Sequence, residues 1–408
     1  MALAAPSGAG RAHGPGHAAR DLPRPDGPPA GGRDRHLLPH RGRAVDAAGH
    51  LRRRRPGRGP GLPRWRRRRC RPRRRCGEPA TVSAATPALS VVIPAYNSRD
   101  LLRESLRAFA RQEAADPFEV VVVDDGSSDG TGDMVAALQA EGPFAEGRPG
   151  LHLVRTANRG RSGARNLGAG EARAPVLLFM DADVRPTPGL VAAHLRHHAR
   201  GGRVGVQGRT LQHPSTLVTP FMRAPYLLPD LTVRRRRRLS PLHVVTRNFS
   251  VSADAFRQVG GFDEAFTGYG WEDIELGLRL AQAGTALHYE PDALAYHYHI
   301  QTLDDVLPKL RQAGAGAVYF WRKHGRPLWL GLFLEIHPAL LPLKWLIFRT
   351  ELVTPLIRRL LPWAERRELL PLCNECYTHL LWKAYYAGVW EAMAAERARP
   401  GRAEEART

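Results

Sequence analysis

Pro175-Val176-Leu177-Leu178-Phe179-Met180-Asp181-Ala182-Asp183 decides how this chain is read. Six apolar residues in a row, with no polar alternation, describe a strand buried on both faces, as in a parallel sheet covered by helices. The run ends on two carboxylates one residue apart. Such a pair can divide the work at a metal site, one meeting a divalent ion while the other holds metal-bound water or a sugar or ribose hydroxyl.

Working outward, the same texture recurs. Leu89-Ser90-Val91-Val92-Ile93-Pro94 and Phe118 to Val123 read as buried strands, Leu151 to Val154 as a third, and Val204 to Gln207 as a further one. Leu101 to Arg111 carries helical spacing through Leu102, Leu106 and Phe109; Thr131 to Ala140 and the stretch entered through Asn158 to Asn166 read as helices. Strands alternating with helices give an α/β class with a mostly parallel central sheet. Ligands of such a sheet gather at the carboxyl ends of its strands, where the acidic clusters fall.

Around that frame lie four further motifs. Asp124-Asp125-Gly126-Ser127 follows the second strand, where a carboxylate can accept hydrogen bonds from a base or ribose and a glycine permits close backbone approach. In Asn158 to Asn166 the glycines allow a tight turn into a helix, from which Arg165 can face a diphosphate. Gly270-Trp271-Glu272-Asp273 opens a helix with two carboxylates, one free to act as a base. Tyr296-His297-Tyr298-His299 puts two imidazoles on one side of an extended segment.

The order and spacing of these motifs, together with Val92-Ile93-Pro94-Ala95-Tyr96-Asn97, resemble the inverting family 2 glycosyltransferases of the nucleotide-diphospho-sugar transferase, or GT-A, fold, from about Ser90 to His299. Gly260-Gly261-Phe262-Asp263-Glu264 followed by Gly268 to Asp273 looks like a galactosyltransferase-type segment. The resemblance implies a nucleoside-diphosphate sugar donor held by Pro94, Ala95, Tyr96, Asn97, Asp124, Asp125, Arg165, Asp181 and Asp183. It implies Mg2+ or Mn2+ on Asp183 with His297, or alternatively His299, and an acceptor side at Gly270, Trp271 and Glu272. Asp273 is the implied base, with Glu272 as the other candidate. The implied step is one direct displacement at the anomeric carbon, without a covalent intermediate. Neither the QxxRW motif nor the transmembrane helices of processive synthases are found, which argues for transfer of one sugar, or a few, to a glycan, lipid-linked or small-molecule acceptor.

Composition divides the chain into a tail at 1–86, a catalytic domain at 87–302 and a helical region at 303–397. The first eighty residues hold 21 arginines against five acids and supply +16 of the formal +22. Rich in Gly, Pro and Ala, they bury too little apolar surface to offset chain ordering and are expected to be disordered. The tail reads as inert, or as a polybasic arm for an anionic membrane or for nucleic acid. The competing class is therefore a basic nucleic-acid-binding protein with a non-catalytic domain, although no recognition fold or aromatic platform accompanies the charge. The run Arg234, Arg235, Arg236, Arg237 and Arg238 reads as a solvated loop or as a flap over phosphate or lipid head groups.

No apolar segment follows Met1, so the expected location is the cytoplasm. The aromatic region after His299 is broken by prolines and charges too often to span a membrane. It reads either as helices at the inner membrane face or as a soluble helical subdomain, with a homodimer as one outcome. Cys373 and Cys376, at a helix start, are expected to pack rather than to join Cys70 and Cys76 around zinc.

Overall fold

The computed structural model describes residues 86–223, 238–349, 351 and 353–398. The arginine tail, Cys70 and Cys76 lie outside the described residues. So do Arg234, Arg235, Arg236 and Arg237, four of the five arginines expected to form a phosphate or membrane loop.

Two largely apolar strands fix the sheet. In β1 (Leu89–Ala95) and β4 (Val176–Met180), successive side chains enter opposite layers. Val91, Ile93, Leu178 and Met180 join one core cluster, whereas Val92, Leu177 and Phe179 join the other. Each such side chain contributes roughly 1.5–3 kcal/mol by leaving water. The first layer is closed by α1 (Arg99–Phe109), through Leu102, Leu106 and Phe109, and by α2 (Thr131–Gln139) with the short α3 (Gly142–Ala145). Between these helices run β2 (Phe118–Asp124) and β3 (Gly150–Arg155). The chain continues through α4 (Gly160–Glu171), β5 (Val184–Pro186), α5 (Leu190–His198) and β6 (Val204–Gln212). It then forms β7 (Asn248–Ser252), α6 (Ala253–Gln258), α7 (Glu272–Gln282) and β8 (Ala286–His297). Helices α6 and α7 cover the second layer.

Strand order in the eight-stranded sheet is β3-β2-β1-β4-β7-β6-β8-β5. The pairs β3/β2, β2/β1, β1/β4 and β6/β8 are parallel; β4/β7, β7/β6 and β8/β5 are antiparallel. The chain steps outward from β1 to β3 and returns to β4 on the other side of β1. The carboxyl ends of β1 and β4 therefore form the topological switch point where a crevice opens. The sequence reading placed no strand at β5 or β7: three and five residues are too short to show a period, and their partners lie far away in sequence.

Beyond Thr302, which caps the next helix reciprocally with Asp305, come α8 (Leu303–Lys323), α9 (Leu328–Phe333), α10 (Leu341–Phe348), α11 (Thr354–Arg366) and α12 (Leu370–Arg397). Cys373 and Cys376 are free thiols buried among Phe221, Tyr377 and Leu380. Helices α8 and α12 cross backbone to backbone. A Cβ on Gly314 would strike the Tyr385 carbonyl, and one on Gly388 would strike the Arg311 carbonyl. Neither carbonyl can rotate away. Gly388→Ala should therefore lower stability by about 1–3 kcal/mol, although alanine is the better helix former by about 1 kcal/mol. Chemical denaturation checks this, and an unchanged midpoint would mean that the helices do not touch there.

Candidate active site

Asp181 and Asp183 follow β4 through a turn, and each finds a different partner. Asp181 Oδ1 accepts from Arg165 Nη2 at 2.9 Å. Asp183 Oδ2 lies 3.2 Å from His297 Nε2 and 3.8 Å from His299 Nδ1. Sheet register produces the second meeting: Val184 of β5 pairs with His297 of β8, and Tyr298 N donates to Asp183 O. Burial alone would raise the Asp183 carboxyl, but the hydrogen bond and charge of His297, with the charge of His299, hold it below the usual carboxylate range.

Arg165 joins the two acidic motifs. On α4, with its side chain buried, it reaches Asp181, Glu272 Oε1 at 3.3 Å and Asp273 Oδ1 at 3.4 Å, while its guanidinium lies over the Phe262 ring. Desolvation opposes its charge, but Asp273, Asp181 and Glu272 more than restore it, so the guanidinium stays protonated. Glu272 is pushed above the usual carboxylate range by burial and then by Asp273. Asp273 is held by Thr246, whose backbone N–H donates to Oδ2 at 3.1 Å and whose hydroxyl donates to Oδ1 at 2.5 Å. Asp273 keeps 20% of its side chain accessible against 4% for Glu272, so it is the carboxylate a ligand can reach.

The turn that presents this pair is unusual. Gly270 and Trp271 both have positive φ, +91° and +74°. For a tryptophan that backbone is strained. It is held by indole Nε1 donating to Ala313 O at 2.7 Å and by packing against Phe320 and Phe333. The α8 and α9 helices thus fix where α7 begins, and the positive end of α7 stabilises the carboxylates in its first turn.

At the β1 end, Asn97 Oδ1 accepts from Ser128 N at 2.8 Å and Asn97 N donates to Ser127 Oγ at 3.0 Å, tying the loops after β1 and β2 together. Asp125 Oδ1 accepts from Arg159 N at 2.7 Å. These parts open into one cleft of about 480 Å³. It is lined by Pro94, Ala95, Tyr96, Asn97 and Asp125, by Arg165, Asp181 and Asp183, and by Gly270, Glu272, Asp273, His297 and His299.

Two of the expected donor- and acceptor-binding residues do not line the cleft. Asp124 is buried beneath the loop, accepting from Ser127 N at 3.0 Å; adjacent residues of a strand point to opposite faces, so Asp124 and Asp125 cannot both face the cleft. Trp271, assigned to the acceptor side, turns its ring into the C-terminal helices. The arginine flap enters this geometry at one position alone, since Arg234, Arg235, Arg236 and Arg237 fall outside the described residues. Arg238 is exposed and pairs with His288 through the backbone, and it is not among the residues lining the cleft.

Sequence reasoning missed Arg161, Arg247, Tyr269 and Lys309, which also line the cleft. Arg161 lies over the Tyr269 ring at 4.5 Å. Its spacing of four from Arg165 on a helix was a usable signal. Lys309 comes from α8, and nothing local marks it.

Arg165→Met should cost about 3 kcal/mol of stability near neutral pH, because three carboxylates lose their shared counter-charge. Without it the Glu272 carboxyl, already raised by burial and by Asp273, rises further above its unfolded range. The deficit is then present above the carboxylate range and shrinks as pH falls from about 7 to about 4. Denaturation of parent and variant across that range checks the sign; a deficit that grows in acid would overturn it.

Residues 90–260 match the family described as Glycosyl transferase family 2, and residues 238–303 match the N-terminal domain of galactosyltransferase. Validoxylamine A glucosyltransferase of Streptomyces hygroscopicus subsp. jinggangensis is 39% identical over 228 residues, covering 48% of this chain and 52% of the relative. Pre-mycofactocin glycosyltransferase of Mycobacterium tuberculosis is 29% identical over 250 residues, covering 58% and 48%. The chain thus spans about half the length of these curated relatives. A solved mannosyltransferase from Pyrobaculum calidifontis, in complex with GDP-Man and Mn2+, superposes with a TM-score of 0.51 at 20% identity over 75% of this chain and 88% of that one, a likeness of fold. None of the matches supports the nucleic-acid-binding alternative. With its motifs gathered at the switch point of the sheet, the chain carries a family 2 glycosyltransferase match over residues 90–260 that runs into a galactosyltransferase-type match over residues 238–303, on a GT-A type of fold.

Proposed function

We propose that residues 87–302 transfer a sugar, with inversion, from a nucleoside-diphosphate sugar to a hydroxyl of a glycan, lipid-linked or small-molecule acceptor. The observation that carries this reading is that one cleft gathers the β1 loop, Asp125, the Asp181/Asp183 pair, both histidines and the Glu272–Asp273 helix start. Its relatives are named as glycosyltransferases, and the solved mannosyltransferase was captured with a nucleotide sugar and Mn2+.

A divalent ion fits the donor set at Asp183. Asp183 Oδ1 is buried without a hydrogen-bond partner. Among the described residues no three His, Cys, Asp or Glu are arranged to hold an ion unaided. That suits Mg2+ or Mn2+, which take one or two carboxylates and complete their shell with phosphate oxygens and water. His297 is the favoured nitrogen ligand. The Gln212 amide nitrogen donates to Thr216 Oγ1 and His299 O, leaving Gln212 Oε1 to accept from His297 Nδ1 at 2.8 Å; that tautomer frees Nε2 for an ion. When bound, the ion supplies positive charge to the departing diphosphate.

The chain's own residues do the rest. Asp125 and the Asn97 loop receive the nucleoside. Asp273, oriented by Thr246 and Arg165, accepts the acceptor hydroxyl proton as its oxygen bonds to the anomeric carbon and the sugar–phosphate bond breaks on the opposite face. Arg165 keeps Glu272 and Asp273 together.

Calorimetry with UDP-, GDP- and dTDP-sugars in Mn2+ or Mg2+ should reveal binding of at least one donor, with slow hydrolysis or transfer. Asp183→Ala should abolish the metal-dependent part of that binding. Asp273→Asn should bind donor normally and lower turnover by ~10²-fold or more. Folded protein that binds no donor across the panel would overturn the reading.

A further inference from the structure

We propose that the outer face of α9, α10 and α11 is a docking surface for an anionic lipid bilayer. Among the described residues, thirteen of the sixteen exposed large apolar side chains fall between residues 328 and 370. They include Leu328 at 60% exposure, Trp345 at 51% and Leu356 at 65%. Scattered apolar residues on a surface are ordinary, but this concentration in one segment is not. In α10 every residue but Lys344 is apolar, yet only Phe348 is buried. The inner faces of the three helices, through Leu330, Phe348 and Leu361, already rest in the clusters built on α8 and α12. The core therefore does not account for the outer faces.

Charge selects the partner. Each carboxylate of the segment has a neighbour: Glu335 with Lys344, Glu351 with Lys383, Glu365 with the Tyr377 hydroxyl and Glu368 with Arg223. Arg349, Arg359 and Arg366 are exposed and carry no salt bridge among the described residues. An apolar face with tryptophans and uncompensated arginines matches the acyl and head-group layers of an anionic membrane. A second copy of the chain, brought up by a two-fold axis, would set these arginines against their own kind. The helices lie on the bilayer rather than across it, because none among the described residues is long and apolar enough to span one.

The surface also connects to the helix start that bears the cleft's carboxylates. Phe333 of α9 packs on Trp271 with ring centroids 6.1 Å apart, and Trp271 immediately precedes Glu272 and Asp273. Resting on the proposed transferase reading, this contact favours an acceptor hydroxyl carried on a membrane lipid.

The test uses the full chain and vesicles of phosphatidylcholine, with or without phosphatidylglycerol, bearing brominated acyl chains. The protein should sediment with the anionic vesicles, more weakly with the neutral ones, and its tryptophan fluorescence should be quenched by the bromines. In high salt, which screens the arginine tail, part of the binding should persist. The combined change Leu328→Ser, Trp345→Ser and Leu356→Ser should reduce that salt-resistant partitioning at least about tenfold and diminish quenching. The proposal is overturned if binding vanishes in salt and is equal in both proteins, if bromines leave the parent unquenched, or if the face instead mediates a dimer without touching lipid. Should the variant misfold, hydrogen exchange on the parent decides: protection of residues 328–370 by vesicles supports docking, and unchanged exchange overturns it. Donor calorimetry on the same samples reads the transferase proposal separately.

Discussion

A single buried guanidinium holds the active cleft together. Arg165 reaches Asp181 at the end of β4 and Glu272 and Asp273 at the start of α7, two places about ninety residues apart in sequence. Three carboxylates crowded in a partly dry cleft would repel one another. One cation in their midst makes the arrangement stable and sets the direction in which each points. The other side of the cleft is then left to Asp183 and the histidines.

Sheet topology supplies the rest of the placement. The parallel strands β3, β2, β1 and β4 deliver their loops to one edge, and antiparallel pairing of β5 with β8 folds the histidine segment back against Asp183. Neither the acids nor the imidazoles are brought together by local sequence. Hydrogen-bond register between distant strands does that work, and it tolerates no slip, because moving one residue would turn His297 to the other face of the sheet.

What could be read in advance follows the same division. The apolar runs of β1, β2 and β4 are legible because burial on both faces leaves few polar residues in them, and the acidic and glycine-rich loops are legible because their residues are rare in that setting. Pairings over long sequence separations are not. Asp181 and Asp183 were expected to take separate roles, but the two partners that divide them could not be named. Asp124 looked equivalent to Asp125 until strand alternation sent it beneath the loop. Trp271 misled for a local reason: a left-handed backbone, invisible in the sequence, rotates its indole away from the cleft. In the C-terminal region the helices were foreseeable from their composition, but their exposed faces were not, because a run apolar on all sides does not say which side meets protein.

The crossing of α8 and α12 has a mechanical meaning. With glycine at both points of contact, no side chain lies between the two backbones to act as a cushion. Side-chain rotamers cannot absorb a change in their spacing, so the pair behaves as a stiff beam. One part of that beam contributes Lys309 to the cleft wall and another carries the carbonyl that anchors Trp271. Helices mounted on its far side can therefore diverge in sequence while the distance from wall to carboxylates stays constant, which lets one chemical apparatus be fitted to different surroundings.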